Sequence, residues 1–298
     1  MFKSGYKLKQ IKFLRRSRHL VIVQGLITLS VFSSVETKAQ GNLLISPRRL
    51  VFDGDKKTQE LNLANTGKDT AKYLISIVEI RMKEDGAFEE IKEPDPGQNF
   101  ASKYLRFFPR SVTLAPNEAQ TVKVQLTKAN ELQPGEYRSH IYFRAIPNAA
   151  PLGDNAAAKD SGISVRLTPV FGITIPVLIR SGESNTQIQL SDIAFKMVSD
   201  TVPHISLALK RTGNMSAYGD IIVEYISTKG TVTEVGMARG VAIYTPNALR
   251  RFQFDLNKNT GVNFNDGKLH VTYVSQASDA KQPNDRTVVL AEQYLNLP

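Results

Sequence analysis

Three of the chain's four histidines follow the first 39 residues, and their spacing argues against metal binding or proton chemistry. His140, His204 and His270 stand isolated in the sequence, each within a predicted strand, and no two are spaced as H-x-H or H-x-x-x-H. The chain also has no cysteine that could complete a zinc site. We therefore expect ordinary core or surface histidines rather than metal ligands.

Other catalytic signatures are equally missing from the sequence. There is no G-x-S-x-G nucleophile elbow and no G-x-x-x-x-G-K-[ST] phosphate loop. The acidic residues between Glu84 and Asp95 lack the spacing of a calcium loop, and nothing selects a carboxylate pair for glycoside hydrolysis. Without cysteine, thiol catalysis and disulfides are excluded. The sequence predicts a protein that is not an enzyme and that uses no cofactor or metal.

One pattern in the sequence indicates a binding surface: an alternation of apolar residues from Ile163 to Val177. Such alternation predicts a β-strand with one apolar face, here about 50 Å long if it is continuous. Two prolines on it cannot donate a backbone hydrogen bond, so we expect one side of the strand to be unpaired and open to another chain. The alternative is a core strand that turns a corner at Pro169. The apolar positions are Ile163, Val165, Leu167, Pro169, Phe171, Ile173, Ile175 and Val177.

The first 39 residues have the form of a secretory signal peptide. A basic segment is followed by a short apolar run at 20–32 and by small residues at Thr37 and Ala39, which predicts cleavage between Ala39 and Gln40. A retained anchor is the alternative, but the run is shorter than the ~20 residues that span a bilayer. The leader holds eight Lys/Arg and one Glu, a net +7 of the chain's +10. The remaining charge of about +3, with no basic block, gives no support for nucleic-acid binding.

The rest of the chain predicts two β-sandwiches in tandem. Short alternating segments recur at intervals of about 8–12 residues between Gly, Pro, Asn and Asp clusters, with almost no helical periodicity. We expect an all-β protein with an N-terminal immunoglobulin-like domain at 40–180, a linker at 181–184 and a C-terminal immunoglobulin-like domain at 185–298, set at an angle around a cleft. No further segment could span a membrane.

Two motifs give the N-terminal half its resemblance to a known family. They are RRLVFDG at 48–54 and GEYRSHIYFRAIP at 135–147, followed by the alternating strand and Arg180. In this order and spacing, residues 43–182 resemble the PapD-like periplasmic pilus chaperones, and the resemblance is looser beyond. The lack of cysteine and the GEYRSH form are closer to the archaic branch of that family.

The resemblance implies roles for particular residues. Family members lend an edge strand to an incomplete pilin subunit, which assigns Ile163, Val165, Leu167 and Phe171 as the donor residues. They also hold the subunit's carboxylate with two basic residues. The first falls on Arg49, and the second falls on Pro176, a departure for which Arg166 is a weak substitute. Glu136 and Arg180 match a pair that links the two domains, although an exposed ion pair of little energetic value is the alternative.

These observations predict a periplasmic, ATP-independent chaperone for secreted pilin-like subunits. An outer-membrane usher is a further expected partner, and the sequence leaves open whether the chaperone caps itself as a dimer. The rival interpretations are a structural or adhesive surface protein with immunoglobulin-like domains and, less favoured, a sandwich enzyme. On the lent strand, Ile173 and Ile175 are expected to belong to the chaperone's own core.

Overall fold

A computed structural model describes residues 42–54, 56–147, 170–199, 201–276 and 288–297. This part of the chain is built from strands, with three single-turn 3₁₀ helices at Ser102–Tyr104, Ala129–Glu131 and Lys258–Thr260 and no α-helix. No helix within it is long and apolar enough to cross a membrane.

The first sandwich is formed by eleven strands. A four-stranded sheet has the order β1-β3-β9-β7, and a five-stranded sheet has the order β2-β11-β10-β4-β8. The remaining two strands, β5 and β6, form a separate hairpin. The strands are β1 (Leu43–Ser46), β2 (Leu50–Phe52), β3 (Thr58–Asn65), β4 (Ala71–Val78), β5 (Ile80–Met82), β6 (Phe88–Glu90), β7 (Leu105–Phe108), β8 (Ser111–Leu114), β9 (Ala119–Leu126), β10 (Gly135–Ile146) and β11 (Gly172–Ser181).

The second sandwich packs a three-stranded sheet, in the order β12-β13-β16, on a four-stranded sheet in the order β15-β14-β17-β18. Together with the first sandwich it belongs to one compact unit, Gln40–Pro298. Its strands are β12 (Gln187–Val198), β13 (Val202–Thr212), β14 (Ala217–Ile226), β15 (Val232–Ile243), β16 (Leu249–Asp255), β17 (Lys268–Ser275) and β18 (Val289–Asn296).

Alternation of side chains explains both cores. In β3, Leu61 and Leu63 are fully buried while the residues between them face outward, and β9 does the same with Val122 and Val124. Each sandwich has its own apolar cluster. The predicted fold class, two tandem immunoglobulin-like sandwiches, is confirmed.

A third, smaller apolar cluster lies where the sandwiches meet. Met82 of β5 and Leu178 of β11 pack there against Ala242 of β15 and against Tyr244. The contact buries apolar surface from both halves, so the two sandwiches are joined by packing as well as by the chain.

The hairpin of β5 and β6 was predicted only in part. The sequence predicts a turn at Asp85-Gly86, and the turn is present, with Gly86 at φ +86°. However, the alternation from Ala71 onward predicts one continuous strand, whereas β4 ends at Val78. The backbone carbonyl of Glu79 accepts from the amide of Ile91, which directs the chain out of the large sheet and into the hairpin.

Candidate functional site

One edge of the five-stranded sheet is only half covered. β11 pairs antiparallel with β10 along Gly172–Ser181. On its other side, β2 pairs parallel with Val177–Ile179 alone. Among the described residues, Gly172–Pro176 therefore have a neighbouring strand on one side only, which leaves a stretch of sheet edge that can accept another strand.

The apolar stripe on β11 continues beyond the core that it helps to form. Ile175, Val177 and Ile179 are buried in the first sandwich. On the same face, Ile173 is 36% exposed and Phe171 is 48% exposed. Valine at 170 is also exposed. Apolar side chains therefore extend along the open edge, past the point where the sandwich can cover them.

This gradient corrects one expectation from the sequence. Ile175 is core, as expected, but Ile173 is not: among the described residues β2 covers the edge of β11 only at Val177–Ile179, and Ile173 lies beyond it. Of the residues assigned to the donor strand only Phe171 is described, and of the two assigned to the anchor only Arg49. Ile163, Val165, Leu167 and Arg166 lie outside the described residues.

Arg49 stands where the open edge ends. Leu50 of β2 pairs with Val177 of β11. Because the two strands are parallel, Arg49, one residue before Leu50, lies opposite Pro176. The Arg49 guanidinium lies over the ring of Tyr218 from the second sandwich, 4.4 Å from the ring centre. Arg49 is half-buried while Arg48 is exposed, as expected for neighbours on a strand.

Two buried polar residues of β10 lie near this point. His140 pairs with Pro176 and packs edge-on against Phe88 and Tyr244. Burial, and then the charge of Arg138, lowers the pKa of His140 to about 3, so the imidazole is neutral at neutral pH. Arg138 lies over the ring of Tyr244 at 4.4 Å and donates from Nη2 to the carbonyl of Thr245 at 3.3 Å.

Glu136 and Arg180 meet at the junction of the two sandwiches. Arg180 Nε donates to Glu136 Oε2 at 3.2 Å, and the Glu136 side chain is fully buried while that of Arg180 is 15% exposed. Glu136 also accepts from the Ser216 amide at 3.0 Å, from the Ser216 hydroxyl and from the Thr245 hydroxyl at 3.3 Å. Arg180 donates to the Ser216 carbonyl at 3.0 Å. The burial rules out the alternative of an exposed ion pair.

The hairpin of β5 and β6 makes a second connection between the sandwiches. Asn247 donates its side-chain amide to the Met82 carbonyl at 2.8 Å, and the amide of Arg251 donates to the Glu84 carbonyl at 2.7 Å. The Phe88 ring lies 6.4 Å from that of Tyr244. The hairpin of β5 and β6, called the strap below, therefore links the first sandwich to the second.

Sequence reasoning did not identify Arg138, Tyr244, Thr245 or the hairpin as parts of this junction. Alternation along β10 places Glu136, Arg138 and His140 on one face, which by itself predicts a solvated face. The partner that buries this face comes from a distant part of the chain, so no local pattern reveals it. Ser216 and Tyr218 of the junction lie in the half of the chain where the family resemblance is looser. Among the described residues, no group of histidine and acidic side chains could hold a metal ion.

Comparisons with known proteins give similarity at the level of structure only. No protein-family model and no curated protein matches the chain. Similar solved structures include the class 5 fimbriae chaperone CfaA, which is 13% identical, with 86% of this chain and 99% of that one covered and a TM-score of 0.37.

Two complexes are similar to the same extent. In the Salmonella enterica SafA pilin complex with the SafB chaperone, the matching chain is 10% identical, with 86% and 96% covered and a TM-score of 0.37. The CsuC-CsuE chaperone-tip adhesion subunit complex of archaic Csu pili from Acinetobacter baumannii gives 12% identity, 70% and 89% coverage and a TM-score of 0.38. These are pilus chaperones, the family that the sequence motifs resemble. Because their TM-scores are below 0.5, these structures support no statement about the role of this chain. Its fold is established from its own sheets.

Proposed function

We propose that this chain is an exported, non-enzymatic chaperone that holds a secreted pilin-like subunit by adding a strand to it. The open half of the β11 edge is the binding surface, and Arg49 receives the end of the subunit. The location is the periplasm, and an outer-membrane usher is the expected recipient of the complex.

The observation that carries the proposal is the apolar stripe that continues along an edge to which no strand of the described residues is paired. A protein that only needed a core strand would end the stripe where the core ends, because exposed apolar edges promote aggregation. An incoming strand gains main-chain hydrogen bonds from Gly172–Pro176, while Phe171 and Ile173 enter an apolar groove of the partner. This interaction needs no nucleotide, since burial of apolar surface drives it.

The position of β2 sets the point at which an incoming strand must end. β2 already occupies the edge at Val177–Ile179, so a partner strand must end near Arg49. If that strand runs parallel to β11, its last residue faces Arg49. A terminal carboxylate there accepts a charge-assisted hydrogen bond from the guanidinium, whereas a positively charged amino terminus is repelled by it.

The edge can be tested by comparing two exposed apolar residues on the same sheet. Tagged full-length chain is purified from the secreting cell, and the small secreted proteins retained with it are identified and quantified. We expect Ile173→Ser to reduce retention of a β-rich subunit about tenfold, while Leu74→Ser leaves it unchanged. Leu74 is similarly exposed, at 43%, but lies in β4, which is paired on both sides. Equal retention by both variants contradicts strand addition.

The anchor can be tested in the same assay. Arg49→Ala is expected to abolish most of the retained subunit while the melting temperature stays within a few degrees, since its contact with Tyr218 is worth about 0.5–1 kcal/mol. Arg48→Ala is the matched control and is expected to bind normally. If the wild-type chain retains no subunit and instead assembles with itself, the chaperone proposal is contradicted and the rival interpretation, a structural surface protein, is favoured.

A further inference from the structure

Arg138 is a buried cation whose hydrogen-bonding capacity is largely unused. The residue is 2% exposed. Of its guanidinium donors, Nη2 bonds to the Thr245 carbonyl, whereas Nε and Nη1 are buried and have no partner among the described residues. Burial lowers the pKa of Arg138, but an arginine stays protonated in a protein. A full positive charge is therefore held inside the junction.

The nearby carboxylates do not neutralise this charge by direct pairing. Glu136 is bonded to Arg180, Ser216 and Thr245. Glu79 accepts from the Ser139 hydroxyl at 2.9 Å. Burial raises the pKa of Glu79, and its hydrogen bonds and the charge of Arg138 oppose that rise. Within the described part of the chain, neither acid lies within ion-pair distance of Arg138, so its charge has no direct ion-pair partner.

Tyr244 connects this buried charge to Arg49. Arg138 lies over the Tyr244 ring, and the charges of Arg49 and Arg138 both oppose the effect of burial, which raises the pKa of the Tyr244 hydroxyl. Arg49 lies over the Tyr218 ring, and Tyr218 packs against the apolar cluster that contains Tyr244, so both guanidinium groups lie at the same group of aromatic side chains. In a medium of low polarity a charge acts over a longer distance than in water, so Arg138 contributes to the potential at Arg49.

We propose that Arg138 supplies the second positive charge of the Arg49 site and makes that site selective for a carboxylate. It acts through its field and not by touching the ligand, since no solvent reaches its Nε and Nη1 atoms. Other candidates fail: Pro176 carries no charge, and His140 is neutral at neutral pH. The inference rests on the proposed function for the identity of the ligand, but the electrostatic claim does not.

The electrostatic claim is tested without any ligand. Arg49→His places a titratable imidazole at the site, and its pKa is measured by NMR in the full-length chain. The same titration is repeated with Arg138→Met added. Removing a neighbouring positive charge favours the protonated imidazole, so we expect the pKa to rise by about half a pH unit or more.

Two further variants separate charge from shape. Arg138→Lys in the Arg49→His background keeps the charge and is expected to leave the pKa near that of the single variant. Arg138→Gln is a second neutral replacement that serves if Arg138→Met does not fold, and it is expected to give the same rise. An unchanged pKa in the neutral variants, or an equal rise with lysine, overturns the inference. Either result overturns only the electrostatic role of Arg138 and does not affect the proposal of strand addition at β11. Conversely, a failure to capture a subunit would overturn strand addition and would not affect the titration result.

Discussion

At the scale of single residues, the junction shows how burial changes what a polar side chain does. Glu136 has hydrogen-bond donors from Arg180, Ser216 and Thr245 around its carboxylate, so its charge is satisfied although no solvent reaches it. The sequence predicts the pairing of Glu136 with Arg180 through family resemblance alone. It could not predict the two hydroxyl residues, because Ser216 and Thr245 follow Glu136 by 80 and 109 positions.

Replacing Glu136 is expected to destabilise the protein more than a surface change would. Glu136→Gln removes the charge and leaves Arg180 without its carboxylate, at a cost of about 2–4 kcal/mol, which is below the range for a wholly buried pair because Arg180 is partly exposed. Urea unfolding measures this free energy. The double variant Glu136→Gln, Arg180→Met removes both charges and is expected to recover part of the loss. A double variant as unstable as the sum of the single variants would show that the two residues are not coupled.

At the scale of elements, β11 is a core strand at one end and an edge at the other. The alternation of apolar residues predicts the strand and its inward face, and both are present from Gly172 to Ser181. Alternation cannot predict where the core ends, because that depends on the strands around it. At Ile175 the stripe is covered by the opposite sheet, and at Ile173 it is not. The sequence therefore identifies the face of the strand but places too many of its residues in the core.

This division predicts a graded response to truncation along one face of β11. Ile175→Ala is expected to lower the free energy of unfolding by about 2–4 kcal/mol, because it leaves a cavity in the first sandwich. Ile173→Ala, the same chemical change two residues earlier, is expected to cost less than about 1 kcal/mol, since its side chain is already 36% exposed. Thermal or urea unfolding of the purified chain measures both.

The same series extends to residues that the sequence assigns to the donor strand. Val165→Ser is expected to leave the stability of the isolated chain unchanged while weakening capture of the subunit. If Val165→Ser destabilises the isolated chain as much as Ile175→Ala, the alternation is only the inside and outside of a sandwich, and the donor role is wrong.

At the scale of the whole molecule, two sets of polar contacts hold the sandwiches together in addition to the small apolar cluster between them. One is the buried polar junction at Glu136, and the other is the strap formed by the hairpin of β5 and β6. Tandem sandwiches could be predicted from the spacing of strands and turns, since that spacing is local. The contacts between the sandwiches could not, because the side-chain hydrogen bonds among them join residues from 36 to 165 positions apart and carry no periodic signature.

Two connections predict that the sandwiches unfold together, and that weakening the strap separates them. Asn247→Ala removes the donor to the Met82 carbonyl, and Phe88→Ser removes the ring beside Tyr244. We expect the wild-type chain to show one calorimetric transition and the double variant to show two, because each sandwich keeps its own apolar core. Substitution of Lys229 by alanine, in a turn of the second sandwich away from the strap, is the control and is expected to preserve the single transition. If the double variant still unfolds in one step, these hairpin contacts do not couple the sandwiches, and the junction at Glu136 together with the apolar cluster around Leu178 accounts for their association.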